Sequence, residues 1–98
     1  MILDISFHED ARAEFDETVA FYAMERASLG EGFVHAVEHA TGHAQRYPES
    51  AAVIRGRVRR MRVERFPYSV MYSVVGNVIR VLAVAHDRRR PFYWSRRR

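Results

Sequence analysis

Two apolar runs of similar length, Tyr68 to Val75 and Val78 to Ala85, meet at Gly76-Asn77. No other feature of the chain restricts its fold as much. A two-residue connection of this type between runs rich in β-branched and aromatic side chains signals a hairpin of fixed register. The second run is hydrophobic on both faces apart from Arg80, so it is expected to lie inside its sheet rather than at an edge. Upstream, the period of two starts at Val53. From Val58 to Arg65, Arg60, Arg62 and Glu64 alternate with Met61 and Val63, which predicts a further strand with one charged and one apolar face. Phe66-Pro67 turns the chain between this strand and the hairpin.

Before Val53 the pattern is different. Ile2, Asp4 and Ser6 alternate with Leu3, Ile5 and Phe7, the signature of a short first strand. Ser6 or His8 can then cap a helix from about Glu9 to Arg26, with Glu9 and Asp10 in the turn where negative charge is favoured. Its apolar stripe is Ala11, Phe15, Val19 and Tyr22, widened by Phe21, while Arg12, Glu14, Asp16, Glu17 and Glu25 are expected on a solvated acidic face. Ser28-Leu-Gly-Glu-Gly32 reads as a break. A second helix follows from about Glu31 to Arg46, with Leu29, Phe33, Val37, Ala40, Ala44 and Tyr47 as its stripe and Pro48 as its stop. The sum is an α+β domain over residues 1–98: an N-terminal strand, an antiparallel helical hairpin and a three-stranded antiparallel meander. The helices pack on one face of a mainly antiparallel sheet, and flexibility is expected only in the last few residues.

Charge divides at the same place as periodicity. All 16 cations are arginine; residues 1–50 carry 3 of them against 10 acids, and residues 51–98 carry 13 against 2. A half this basic suits nucleic acid or an acidic protein. With no cysteine, a disulfide framework and a thiolate zinc site are both excluded. The start meets Asp4 at once, and no uncharged apolar run approaches the roughly 18 residues of a membrane span, so a cytoplasmic protein without membrane contact is expected.

The candidate surface is the end of the chain, where Arg88, Arg89 and Arg90 run into Pro91, Phe92, Tyr93 and Trp94. Fixed cations beside flat aromatic rings fit a phosphate-bearing or acidic partner. Strand parity puts Arg60 and Arg62 on one face, and a tail leaving the central strand at His86 would join them there. For Arg60 and Arg62 the structural alternative is an edge that discourages pairing, and for the arginine run it is a solvated segment. Phe92 and Trp94 are expected mainly to pack; Tyr93 fits either role. His86 is more often structural than catalytic at a strand end, although an imidazole of ordinary pKa, about 6.5, can work as acid or base near neutrality. His35, His39 and His43 recur every fourth residue on the second helix, where a solvated face is expected rather than a metal site.

Arg59-Arg-Met-Arg-Val-Glu-Arg-Phe-Pro-Tyr-Ser-Val-Met-Tyr72, Val78-Ile-Arg-Val-Leu-Ala-Val-Ala-His86 and Arg89-Arg-Pro-Phe-Tyr-Trp94 together resemble toxins of the RelE/ParE superfamily of bacterial type II toxin–antitoxin systems, also called plasmid stabilisation proteins. The acidic first helix, Leu29-Gly-Glu-Gly-Phe33 and Tyr47-Pro48 fit as well, so the resemblance covers nearly the whole chain. It implies a growth-inhibiting toxin in a hetero-oligomer with a cognate antitoxin, with no cofactor. The target it implies is either DNA gyrase, poisoned as ParE proteins do, or mRNA on the ribosome, cut as RelE does without metal.

For cutting, the resemblance puts Arg60 and Arg62 at the basic positions before the turn, Arg88 after the last strand and Tyr93 or Trp94 at the end. Because Trp94 has no proton to exchange, acid–base work would fall to Tyr93 or His86. The arginine that cutting relatives carry directly after the turn tyrosine is Ser69 here, and loss of one preorganised donor costs on the order of 100-fold in rate. That departure favours the gyrase reading, with Arg60, Arg62, Arg88, Arg89, Arg90 and Trp94 as the target-binding set. A nucleic-acid-binding module without toxicity is the third reading, from charge alone.

Overall fold

In the computed structural model, which describes residues 1–98, the chain runs β1 (Asp4–Phe7), α1 (Glu9–Glu25), α2 (Ala27–Arg46), β2 (Ala52–Arg55), β3 (Val58–Val63), β4 (Tyr68–Val75) and β5 (Val78–His86). The strands form one sheet in the order β1-β5-β4-β3-β2; β1 is parallel to β5 and every other pair is antiparallel. β5 is therefore internal, as its apolar faces require, and five of its nine residues in sequence, Val81 to Ala85, are buried. At the hairpin the positive φ falls on Gly76 alone (60°), the pattern of a type II′ turn, and Val75 pairs with Val78.

Four strands follow the helices instead of the expected three. β2 is a four-residue edge strand turned back by Gly56 at φ 55°. It is too short, and too exposed on both faces, to show an alternating pattern. The break expected at Ser28 to Gly32 is also absent, since α2 starts at Ala27 and a single extended residue, Arg26, separates the helices. Gly30 instead serves the helix crossing: a Cβ on it would come within 2.8 Å of the Ala23 Cβ.

Both helices lie on one sheet face. Phe33 of α2 is fully buried, with the rings of Phe15, Tyr22, Phe66 and Tyr68 around it at centroid distances of 5.1–6.1 Å. Ala11, Val37, Ala44, Ala51, Val63, Val70, Tyr72, Ile79, Val81 and Val84 complete this core. Phe21 and Tyr47, expected in the stripes, are each 57% exposed; Tyr47 lies past the last turn of α2 as its C-cap. His8 does cap α1, its Nδ1 accepting from the Asp10 amide at 3.0 Å.

A register shift gives the other face its character. Met71 pairs with Ala83 but Tyr72 pairs with Val81, leaving Leu82 as an extra residue in β5. Such a bulge reverses side-chain parity. Val84 thereby joins Ile79 and Val81 in the main core, while Ala83 and Ala85 form a small-residue floor on the opposite face. Trp94 folds back onto that floor and is 3% exposed.

Candidate functional site

The pairing of β3 with β4 sets Arg60 opposite Met71 and Arg62 opposite Ser69, so both arginines rise from the face that carries the Ala83–Ala85 floor. β5 ends at His86, and the next residue, Asp87, is fixed by its amide donating to the Pro67 carbonyl at 2.8 Å. That bond places the Asp87 carboxylate between the two arginines. Arg60 Nη2 and Arg62 Nη1 each donate to it at 3.2 Å, and Ser69 Oγ donates at 2.9 Å while accepting from Arg60 Nε at 3.0 Å. Ser69 is fully buried within this network. Sequence reasoning found Arg60 and Arg62 but not Asp87. The available signal was that only two acids, Glu64 and Asp87, accompany 13 arginines in residues 51–98.

His86 sits edge-on to the Tyr68 ring at 5.1 Å, and its Nδ1 accepts from the Arg88 amide at 3.0 Å. One ring nitrogen is thus occupied in shaping the turn that starts the tail. Arg88 and Arg90 are exposed and their guanidinium groups have no hydrogen-bond or ion-pair partner in the chain. Arg89 is also exposed but stacks over the Tyr93 ring at 4.0 Å. Between the tail and the sheet lies an open hollow of about 240 Å³, with Met71 and Ala85 in its floor and Arg60, Arg89 and Arg90 at its rim.

The tail is held by α1. Phe92 adopts φ 61°, which redirects the chain, and Arg55 covers its ring at 4.5 Å. Tyr93 then donates its hydroxyl to Glu14 Oε2 at 2.7 Å, and Arg97 donates to Glu14 Oε1 at 2.9 Å and to the Leu82 carbonyl at 3.0 Å. Glu14 Oε1 also accepts from the Val84 amide at 3.1 Å. This amide lies beyond Val81, where β1 stops pairing with β5, so the carboxylate caps a sheet edge that would otherwise keep an unpaired donor. Burial and the bond to Glu14 push the Tyr93 phenol well above the ordinary tyrosine range.

Glu14 was expected on the solvated face of α1, yet its side chain is only 15% exposed. It lies three residues after Ala11 and four before Thr18, both buried, and that spacing was the signal for an inward position. Trp94 needs a correction as well. Placed with the target-binding residues by the resemblance, though expected mainly to pack, it is buried on Ala83 and Ala85, because the Leu82 bulge provides a floor that its indole fills. The structure thus brings Arg60, Arg62 and the His86–Arg88 turn together around Asp87, and sets Tyr93 apart with Glu14. His35, His39 and His43 are exposed along α2, and no group of three or more His, Cys, Asp or Glu side chains converges as metal ligands would.

The model of a protein family described as the ParE toxin of the type II toxin–antitoxin system parDE matches residues 5–91. The chain belongs to the ParE toxin family. A solved structure described as the chromosomal ParDE toxin–antitoxin system from P. aeruginosa has a chain that superposes on this one with a TM-score of 0.73 at 19% identity. The match covers 87% of this chain and 96% of that one. At this identity the likeness speaks for the fold. The curated proteins give no match. In this ParE-family chain no helix is long and apolar enough to cross a membrane.

Proposed function

We propose that this ParE-family toxin arrests growth by poisoning DNA gyrase through its arginine-rich C-terminal surface, and that a small cognate antitoxin with an acidic segment neutralises it by covering that surface. The observation that carries this reading is a division of labour among the basic and aromatic groups. Arg88 and Arg90 present unpaired guanidinium groups on an exposed turn, whereas Arg60, Arg62 and Tyr93 are engaged by Asp87 and Glu14.

Metal-free RNA cleavage needs a group to activate the 2′-hydroxyl, cations on the phosphate and a proton for the leaving oxygen. Here the phenol that would exchange a proton is held by a carboxylate, and its pKa is driven away from neutrality. The position where cutting relatives carry an arginine holds a buried serine. What remains outward is a cationic surface suited to binding. Cutting of ribosome-bound mRNA by Arg60, Arg62, Arg88, His86 and Tyr93 is the second reading, favoured by the shared face of the two β3 arginines.

Controlled expression tests the proposal. Growth should stop with filamentous cells and accumulated gyrase–DNA cleavage complexes, and co-expression of the neighbouring antitoxin gene should restore growth. An Arg88→Ala/Arg90→Ala variant should lose most of the effect while remaining folded. Undisturbed growth at high expression of the parent chain would sink the toxin reading, and cut mRNA without DNA cleavage would replace gyrase with the ribosome.

A further inference from the structure

The donors around Asp87 form a complete anion seat. Two guanidinium groups and one hydroxyl converge on a pair of carboxylate oxygens at 2.9–3.2 Å, a donor set that would serve a phosphate equally well. The occupant belongs to the chain itself. Its side chain is 21% exposed, against 40% for Arg60 and 64% for Arg62, so the carboxylate lies inward while the cations stay within reach of solvent. Arg60 and Asp87 also line the open hollow whose rim carries Arg89 and Arg90.

We propose that Asp87 is a specificity-determining residue: a built-in anion that fills the seat of Arg60, Arg62 and Ser69 and so excludes the phosphodiester of a single-stranded nucleic acid from this basic face. Three observations support this. The Asp87 main chain is held by its amide on the Pro67 carbonyl, so the residue is anchored beside the arginines by a bond that does not involve them. It is one of only two acids among the last 48 residues, and it stands where two of the 13 arginines converge. Ser69 donates to Asp87 rather than to solvent and accepts from Arg60, so the seat is already satisfied and a phosphate would have to displace a bonded carboxylate. External partners are left to Arg88, Arg89 and Arg90.

Removing the charge should open the seat. Binding of a fluorescent ten-nucleotide oligouridylate to the full chain, followed by anisotropy at several salt concentrations, reads this directly. Asp87→Asn should bind about tenfold more tightly than the parent, with a steeper salt dependence that corresponds to about one or two added phosphate contacts, each worth a log–log slope of roughly 0.7 on a single strand. Adding Arg62→Ala to Asp87→Asn should abolish the gain.

Glu31→Gln, on an exposed position of α2, adds the same net charge elsewhere and should shift affinity less than twofold. Should Asp87→Asn fail to fold, Asp87→Ser removes the same charge with less volume and gives the same reading. The proposal is overturned if Asp87→Asn binds no better than the parent, if Glu31→Gln gives an equal gain, or if the gain survives Arg62→Ala. The assay contains neither gyrase nor antitoxin, so its failure leaves the growth-arrest proposal standing, and failure of that proposal leaves this one untouched.

Discussion

Tyr93 shows how one side chain can be removed from chemistry and given to structure. Its hydroxyl donates to Glu14, and the guanidinium groups of Arg89 and Arg97 lie over its ring at 4.0 and 5.0 Å. Tyr93→Phe loses one hydrogen bond and should cost about 1 kcal/mol. The raised phenol pKa also sets a direction for pH. Folded Tyr93 holds its proton more tightly than the unfolded side chain, so its contribution is complete below the ordinary tyrosine value, about 10, and is lost as pH rises beyond it. Melting temperatures between pH 8 and 11.5 should therefore fall less steeply for Tyr93→Phe than for the parent. Equal slopes would show that the phenol is not linked to folding.

Glu14→Ala should be more costly, because it leaves the Val84 amide, the Tyr93 hydroxyl and Arg97 without their shared acceptor. A loss of about 2–3 kcal/mol is expected, with faster hydrogen exchange at Val84. None of this was visible in the chain as residues in order. The Ala11–Glu14–Thr18 spacing hinted at an inward carboxylate, but its partners lie 70 to 83 residues away.

At the level of elements, the features legible in the sequence were those governed by local rules. Gly76-Asn77 fixed a hairpin through backbone conformation, and the Phe33–Val37–Ala40–Ala44 stripe fixed the buried face of α2 through periodicity. Features that depend on tertiary contact were hidden. Gly30 resembled a breaker because glycine lowers helix propensity by about 1 kcal/mol, yet contact with Ala23 is what requires it. Gly30→Ala should be destabilising by about 1–2 kcal/mol in a denaturant melt, since overpacking at a crossing outweighs the propensity gained.

The Leu82 bulge was hidden for a similar reason. A run that is apolar on both faces carries no parity signal, so nothing in Val78 to Ala85 shows where a residue is inserted. Its consequence is large, because it creates the floor for Trp94. Trp94→Ala should cost about 3–5 kcal/mol, and loosening of the tail should be detectable as faster exchange at the Ser95 and Arg97 amides.

Across the whole molecule, the acidic and basic halves seen in the sequence do not simply face opposite ways. Glu14 and Asp10 from the acidic half reach Arg97, and Asp87 within the basic half neutralises part of the β3 arginine pair. The turn after β5 carries three exposed arginines in sequence, Arg88, Arg89 and Arg90, with no carboxylate partner. Arg60 and Arg62 were legible as a pair from strand parity, but their engagement was not, because a carboxylate 25 and 27 residues downstream reaches them only through the sheet.

Under the proposed function, this surface binds a macromolecular target without cutting RNA. Purified toxin incubated with gyrase, ATP and supercoiled plasmid, beside a parallel translation reaction whose mRNA is sized on a gel, tests that most directly. Linear plasmid should be released by protease from stabilised gyrase–DNA complexes, with the translated mRNA left intact. Shortened mRNA together with unaffected plasmid would contradict it.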